Sequence, residues 1–196
     1  MTGILIAFAS REGQTRKICN HIAARLTSAG CQVQVLDLVA GQPLPLIEHF
    51  DGAIVAGSVH RGRMDQALTS FLMCHAPALG KIPSAYLCVS LSAASVKRDA
   101  RAAIDEITQQ MLHDVGWHPD ETRHVAGAVD PAALGLLERC AMHAVTNLHG
   151  IEIEHEDRTE LTDWAAIDRF TETFIARVNG TDASNESQNA VKQAGE

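Results

Sequence analysis

Apolar residues recur along the chain in two rhythms. Short continuous runs such as Ile4 to Ala9 and Ala85 to Val89 read as strands buried on both faces. Between such runs apolar positions return at three- and four-residue steps, the mark of a helix with one buried face. Thr15, Ile18, Cys19, Ile22, Ala23 and Leu26 place the first helix from about Gln14 to a stop at Gly30. Gln32 to Leu38 alternates as a half-covered second strand, and Asp51 to Gly57 is a short apolar third. A helix fits Met64 to His75 with Pro77 marking its end, followed by a fourth strand over Ser84 to Ser90. Ile104, Ile107, Met111 and Val115 place a helix from about Val96 to Val115, closed by Gly116, and Arg123 to Val129 reads as the fifth strand. The last helix starts with Thr162 as its N-cap and carries Trp164, Ile167, Phe170, Phe174 and Val178 on one side. Strands alternating with amphipathic helices predict an α/β fold, a doubly wound parallel sheet with right-handed crossovers and strand order 2-1-3-4-5.

Two stretches stand outside that alternation. Residues 130 to 161 form an insertion between strand five and the last helix, and within it Leu134, Leu137, Ala141, Val145 and Leu148 line a helix from about Pro131 to His149. From Gly180 onward no packing pattern remains, so residues 1–179 are expected to form one domain and 180–196 a disordered tail.

In such a sheet ligands bind outside the carboxyl ends of the strands, beside the point where strand order reverses. The loops there carry the candidate chemistry. After strand one comes Ser10-Arg11-Glu12-Gly13-Gln14-Thr15, a small polar loop running straight into a helix. Backbone N–H groups at a helix start point at one spot and add the positive end of the helix dipole, which makes an anion site. Ser10 and Thr15 add hydroxyl donors, Gly13 permits close approach or positive φ, and Arg11 and Arg16 raise the local potential. The spacing fits neither Gly-x-Gly-x-x-Gly nor a P-loop. After strand three, Gly57-Ser58-Val59-His60-Arg61-Gly62-Arg63 places glycines on both sides of a basic centre, and after strand four Ser90-Leu91-Ser92 opens a hydroxyl-rich loop that lets a flat ring approach backbone amides.

The first loop resembles the FMN phosphate loop of flavodoxins, Ser/Thr-x-Thr-Gly-x-Thr: Ser10, Gly13 and Thr15 match, and Glu12 replaces the middle Thr. Together with Gly57–Gly62, Pro83–Tyr86, Gly116–Asp120, Val125–Ala128 and Thr162–Trp164, taken in order, the chain resembles the bacterial flavodoxin-type, menaquinone-dependent protoporphyrinogen oxidases. The resemblance implies a flavodoxin-like fold that binds FMN through Ser10, Arg11, Glu12, Gly13, Gln14 and Thr15 at the phosphate. Ser58, Val59, His60, Arg61, Gly62, Ser90, Leu91, Ser92 and Gly127 would lie about the ring. It implies oxidation of protoporphyrinogen IX to protoporphyrin IX with electrons passed to a quinone. A flavodoxin-type electron carrier, and a flavodoxin fold that has lost FMN, are the alternatives. No catalytic base is assigned.

This chain departs from that family in two places. The expected helix over Pro131–His149 has Arg139 as its one strong base, and the insertion has no aromatic between Pro131 and Leu161, where a membrane-surface helix needs Lys or Arg and bulky anchors. Its apolar side is therefore expected to pack on the domain or on a second subunit, with peripheral contact to the inner face of the cell membrane as the alternative. Second, His60 and Arg61 stand where a ring usually stacks on the flavin. Losing a stacking ring costs about 0.5–1.5 kcal/mol, and each hydrogen bond to a charged phosphate contributes about 1.5–3 kcal/mol, so FMN binding is expected to survive.

Composition narrows the remaining classes. The 196 residues suit one domain, and no apolar run reaches the length of a membrane span or a signal core, so a cytoplasmic protein is expected. A formal charge of −8 argues against nucleic acid as a partner. Five cysteines, scattered and without a Cys-x-x-Cys pair, read as reduced core thiols. The ten histidines lack the spacing that sets two imidazoles on one helix face with an acidic partner, so no metal site is expected. The acidic run Glu152–Asp157 reads as a solvated loop or edge strand.

Overall fold

The structure, a computed structural model, describes residues 1–60, 62–129 and 159–193, with His60, Val129 and 181–193 given by their backbone. Arg61, Cys140, the expected helix over Pro131–His149 and the acidic run Glu152–Asp157 lie outside the described residues. Five parallel strands form the main sheet: β1 (Gly3–Ala9), β2 (Gln32–Asp37), β3 (Gly52–His60), β5 (Ser84–Ser90) and β6 (Glu121–Ala126), in the order β2-β1-β3-β5-β6. That is the doubly wound order read from the hydrophobic pattern. A two-residue strand, β4 (Arg63–Met64), folds back antiparallel on the end of β3. A separate ribbon pairs β7 (Ala128–Val129) with β8 (Thr159–Glu160).

Period-two alternation sends successive side chains of β1 to opposite faces. Ile4, Ile6 and Phe8 meet Ile18, Ile22 and Leu26 of α1 (Gln14–Ser28) and Ile167, Phe170, Phe174 and Val178 of α4 (Trp164–Gln193). Leu5, Ala7 and Ala9 pack toward Leu68, Phe71 and Leu72 of α2 (Gln66–Leu79) and Ile104, Met111 and Leu112 of α3 (Arg98–Val115). Gly52 and Gly57 in β3 are required by that packing, because a Cβ on them would stand 2.7 Å from Val178 and 2.3 Å from Leu68 respectively. Cys19, Cys31 and Cys88 are buried, and Cys74 is exposed. Burial pushes the Cys88 thiol up to about 11, so it stays protonated and is no nucleophile at neutral pH.

Several boundaries differ from the sequence reading, each for a local reason. Helix α2 starts at Gln66, where Asp65 accepts from the Ala67 N–H at 2.8 Å, and runs through Pro77 to Leu79. Pro77 lies in the last turn, where the chain needs few further bonds; the stop comes at Gly80, whose N–H donates to the Ala76 carbonyl at 3.0 Å. Helix α3 begins at Arg98 rather than Val96, after Ser95 accepts from the Lys97 N–H. The cap of α4 is Asp163, which accepts from Ala166 N at 2.9 Å, while Thr162 donates its hydroxyl to the Ala126 carbonyl instead. Past Gly180 the backbone of α4 continues to Gln193, where the sequence reading expects a disordered tail. One interior Gly costs a helix about 1 kcal/mol, and the Ala, Glu, Gln and Lys residues after it are good helix formers.

Charged pairs tie α1 to α4. His21 faces Asp168 at 2.7 Å, and Arg25 reaches Asp168 and Glu172 at 3.3 Å each. The hydrogen bond from His21, helped by Arg25, holds the Asp168 carboxyl below its usual range. A depressed native pKa stabilises the fold above the unfolded carboxylate value of about 4, and this contribution is lost as pH falls through the native value. Asp168→Asn is expected to lower the thermal midpoint slightly at neutral pH, with the difference from the parent vanishing in strong acid. Thermal melts across the acid range check this.

Candidate functional site

Strand register brings the candidate loops together. Ala9 pairs with Gly57 and Gly57 with Cys88, so β1 ends beside the last residues of β3 and β5, and Ser90 pairs with Ala126 one step beyond Val89. Ser10, Ser58, Ser90 and Gly127 therefore gather at one sheet edge. Strand order reverses between β1 and β3, so this edge contains the crevice where doubly wound folds bind ligands.

The turn after β1 gathers polar groups at a helix start. Ser10 Oγ accepts from the Gly13 N–H at 3.2 Å, which leaves the hydroxyl proton free to donate outward. Gly13 takes φ 88°, a left-handed value that other residues adopt at a cost. The first backbone bond from α1 runs from Lys17 N to Gly13 O at 3.0 Å, so the amides of Gln14, Thr15 and Arg16 precede the helical ladder. Thr15 is 2% exposed, yet its hydroxyl makes no hydrogen bond to any described residue. This near-buried hydroxyl stands beside the amides that lead into the helix.

Electrostatics here differ from the sequence reading, which has Arg11 and Arg16 raising the potential. Arg11 pairs with Asp65 at 2.6 Å and Arg16 with Asp37 at 2.6 Å. Lys17 pairs with Glu160 at 2.7 Å. Each flanking cation is answered by a carboxylate, so the donors of the turn are backbone amides and hydroxyls. Gln14 is 5% exposed, and its side chain donates to Glu160 at 2.7 Å and to Thr162 at 2.9 Å.

The other two loops take different forms. Ser58, Val59 and His60 extend β3 rather than forming a loop, and Val59 and His60 pair with Met64 and Arg63 around a turn at Gly62, where φ is 73°. Val59 packs into the core on the α2–α3 side. After β5, Ser90 Oγ accepts from Ala93 N at 3.2 Å, repeating the Ser10–Gly13 arrangement, and Leu91 leads a short 3-10 turn over Ser92–Ala94. Gly127 interrupts the expected fifth strand: its N–H donates to the Ser90 carbonyl at 3.2 Å and its carbonyl accepts from Leu161 N at 3.0 Å. Glu160, Thr162, Asp65 and Asp37 escape the sequence reading because each meets its partner across a long span of chain, 146 residues for Gln14 and Glu160. A groove of about 550 Å³ bordered by Gly3, Gln32, Gln34, Leu46 and Phe50 lies at the amino ends of β1 and β2. The polar turn after β1 lies at the opposite end of the sheet.

The fold is a doubly wound α/β sheet, with a polar turn leading into a helix after its first strand, next to the topological switch point. The family model for the flavodoxin domain matches residues 5–155. The chain belongs to the flavodoxin domain family. It is 26% identical over 166 residues to the protoporphyrinogen IX dehydrogenase [quinone] of Escherichia coli strain K12, covering 85% of this chain and 91% of that protein. A protein of the same name from Leishmania major is 25% identical over 175 residues, covering 88% of this chain and 74% of the other. Among solved structures, a Streptococcus pneumoniae TIGR4 flavodoxin superposes with a TM-score of 0.53 at 16% identity, covering 90% of this chain and 99% of that one. A short-chain flavodoxin associated with a PDU bacterial microcompartment gives 0.53 at 11% identity, covering 91% and 99%. No helix among the described residues is long and apolar enough to cross a membrane.

Proposed function

We propose that this protein is an FMN-dependent oxidoreductase that takes electrons from protoporphyrinogen IX and passes them to a quinone. The observation that carries the cofactor is the Thr15 hydroxyl, near-buried and without a described partner, beside the leading amides of Gln14, Thr15 and Arg16. A phosphate dianion satisfies such a set at the positive end of a helix dipole. Ser10 to Thr15 would hold the phosphate, and the segments Ser58–Gly62 and Ser90–Ser92, with Gly127, would border the ring. FMN supplies the electron transfer when bound; the protein supplies orientation and a dry, polar frame. The substrate follows the two relatives named above.

Charge supports a carboxylated substrate. Among the described residues Arg63, Lys97, Arg98 and Arg101 carry no ion pair. All four follow the carboxyl ends of β3 or β5, on the crevice side of an otherwise acidic chain. Unpaired cations there draw in an anionic ligand and slow its escape. Replacing Arg98 and Arg101 together by Glu is expected to raise KM for protoporphyrinogen about tenfold, with kcat and FMN content unchanged. Steady-state assays at low salt read this directly.

The function itself is tested by purification and turnover. The reading expects a yellow protein that releases FMN on denaturation and, without oxygen, accelerates protoporphyrinogen oxidation with a quinone acceptor. A yellow protein with no acceleration over the spontaneous reaction is an electron carrier. A colourless protein that takes up no FMN is a flavodoxin fold without its cofactor.

A further inference from the structure

The ribbon β7–β8 reaches the start of α1 through the Glu160 side chain, a contact with no part in the reaction proposed above. Glu160 uses both carboxylate oxygens on α1: Oε1 accepts from Gln14 Nε2 at 2.7 Å and Oε2 from Lys17 Nζ at 2.7 Å. The second proton of the Gln14 amide goes to Thr162 Oγ1 at 2.9 Å, and Thr162 passes its own proton to the Ala126 carbonyl at 2.7 Å. Leu161, between them, donates its N–H to the Gly127 carbonyl at 3.0 Å. Glu160 and Thr162 thus hold both protons of the Gln14 side-chain amide, and Thr162 relays the contact to the end of β6.

Gln14 is the first residue of α1, and its backbone amide is one of those offered to the anion. Its side chain is almost wholly buried, so its orientation fixes how the first helical turn is rotated against the end of β6. Lys17, one turn on, is held from the same carboxylate, and its ammonium lies 5.2 Å from the Trp164 ring. Two points one helical turn apart, both tied to Glu160, resist rotation where one would not.

We infer that Glu160 is a positioning residue for the phosphate-binding turn: it sets the direction of the leading α1 amides through Gln14 and Lys17, and so governs discrimination between FMN and its phosphate-free analogue riboflavin. The inference rests on the phosphate reading above. It concerns phosphate geometry alone, so its effect is confined to the ligand that carries one.

Titration calorimetry of the full chain with FMN and with riboflavin, for the parent, Glu160→Ala and Glu160→Gln, tests it. Glu160→Ala is expected to weaken FMN binding about tenfold while riboflavin binding stays within about twofold. Glu160→Gln keeps an acceptor for Gln14 and is expected to recover most of the loss. FMN binding by Glu160→Ala that equals or exceeds the parent's overturns the inference, as does an equal loss for both ligands or no recovery with Gln. A parent protein that binds FMN no better than riboflavin overturns the phosphate reading beneath it, a result distinguishable from all of these.

Discussion

The double variant Ser10→Ala, Thr15→Val is expected to bind FMN at least about a hundredfold more weakly than the parent, with riboflavin affinity and thermal midpoint close to unchanged. Each hydroxyl supplies one donor to a dianion at a helix start, and hydrogen bonds to charged groups contribute about 1.5–3 kcal/mol apiece. Two such losses correspond to a factor of roughly 10² to 10⁴. Stability should hold because neither hydroxyl donates to another described group, and Ser10 loses only the acceptance from Gly13 N at 3.2 Å. Val in place of Thr15 keeps the buried shape, so the change removes chemistry rather than packing. Fluorescence titration of both ligands against the variant separates phosphate recognition from ring recognition.

The largest stability effect is expected from Phe174→Ala. Phe174 is fully buried, stacks on Phe170 with centroids 6.1 Å apart, and fills the space above Gly52 of β3, where its Cζ comes to 3.3 Å from a virtual Cβ. Truncating a buried Phe costs about 3–5 kcal/mol through lost transfer energy and the cavity left behind. Gly52 cannot fill that cavity, and Val178 already occupies its other side. This loss is a large share of the 5–15 kcal/mol that holds an ordinary domain together. Denaturant unfolding should show a midpoint shift at unchanged m-value. The phosphate site lies at the other end of β3, so FMN affinity of the folded fraction should match the parent's. The two predictions thus dissociate: one removes a ligand without touching the fold, the other loosens the fold without touching the ligand.

The parallel strands and their order were legible because period and length decide them. Ile4 to Ala9 is too short for a buried helix and too apolar for an edge, and the helical stripe from Thr15 to Leu26 forces a crossover. The turn between β1 and α1 was legible too, since a strand, a small polar loop with Gly13, and a helix start define it within a few residues. What escaped depends on partners distant in sequence. Val59 and His60 look like loop residues, yet β3 extends through them because Arg63 and Met64 fold back on its end. Thr162 looks like a helix cap, yet the end of β6 claims its hydroxyl and leaves the cap to Asp163. Arg11 and Arg16 read as raising the local potential, and nothing near them in sequence announces Asp65 or Asp37. Pattern shows which residues are buried; it does not show which acid a surface cation will find.

The pairing of those cations bears on the central claim. A site held by amides and hydroxyls binds through short, directed dipoles, so affinity should fall little with ionic strength, unlike a site built on exposed Lys and Arg. The most direct measurement is the backbone amide spectrum of ¹⁵N-labelled protein on addition of FMN. The account predicts that the amides of Gly13, Gln14, Thr15 and Arg16 show the largest downfield shifts, and that riboflavin leaves these four nearly still while moving residues of the Ser58–Gly62 and Ser90–Ser92 segments. Binding of FMN with those four amides unmoved would contradict it.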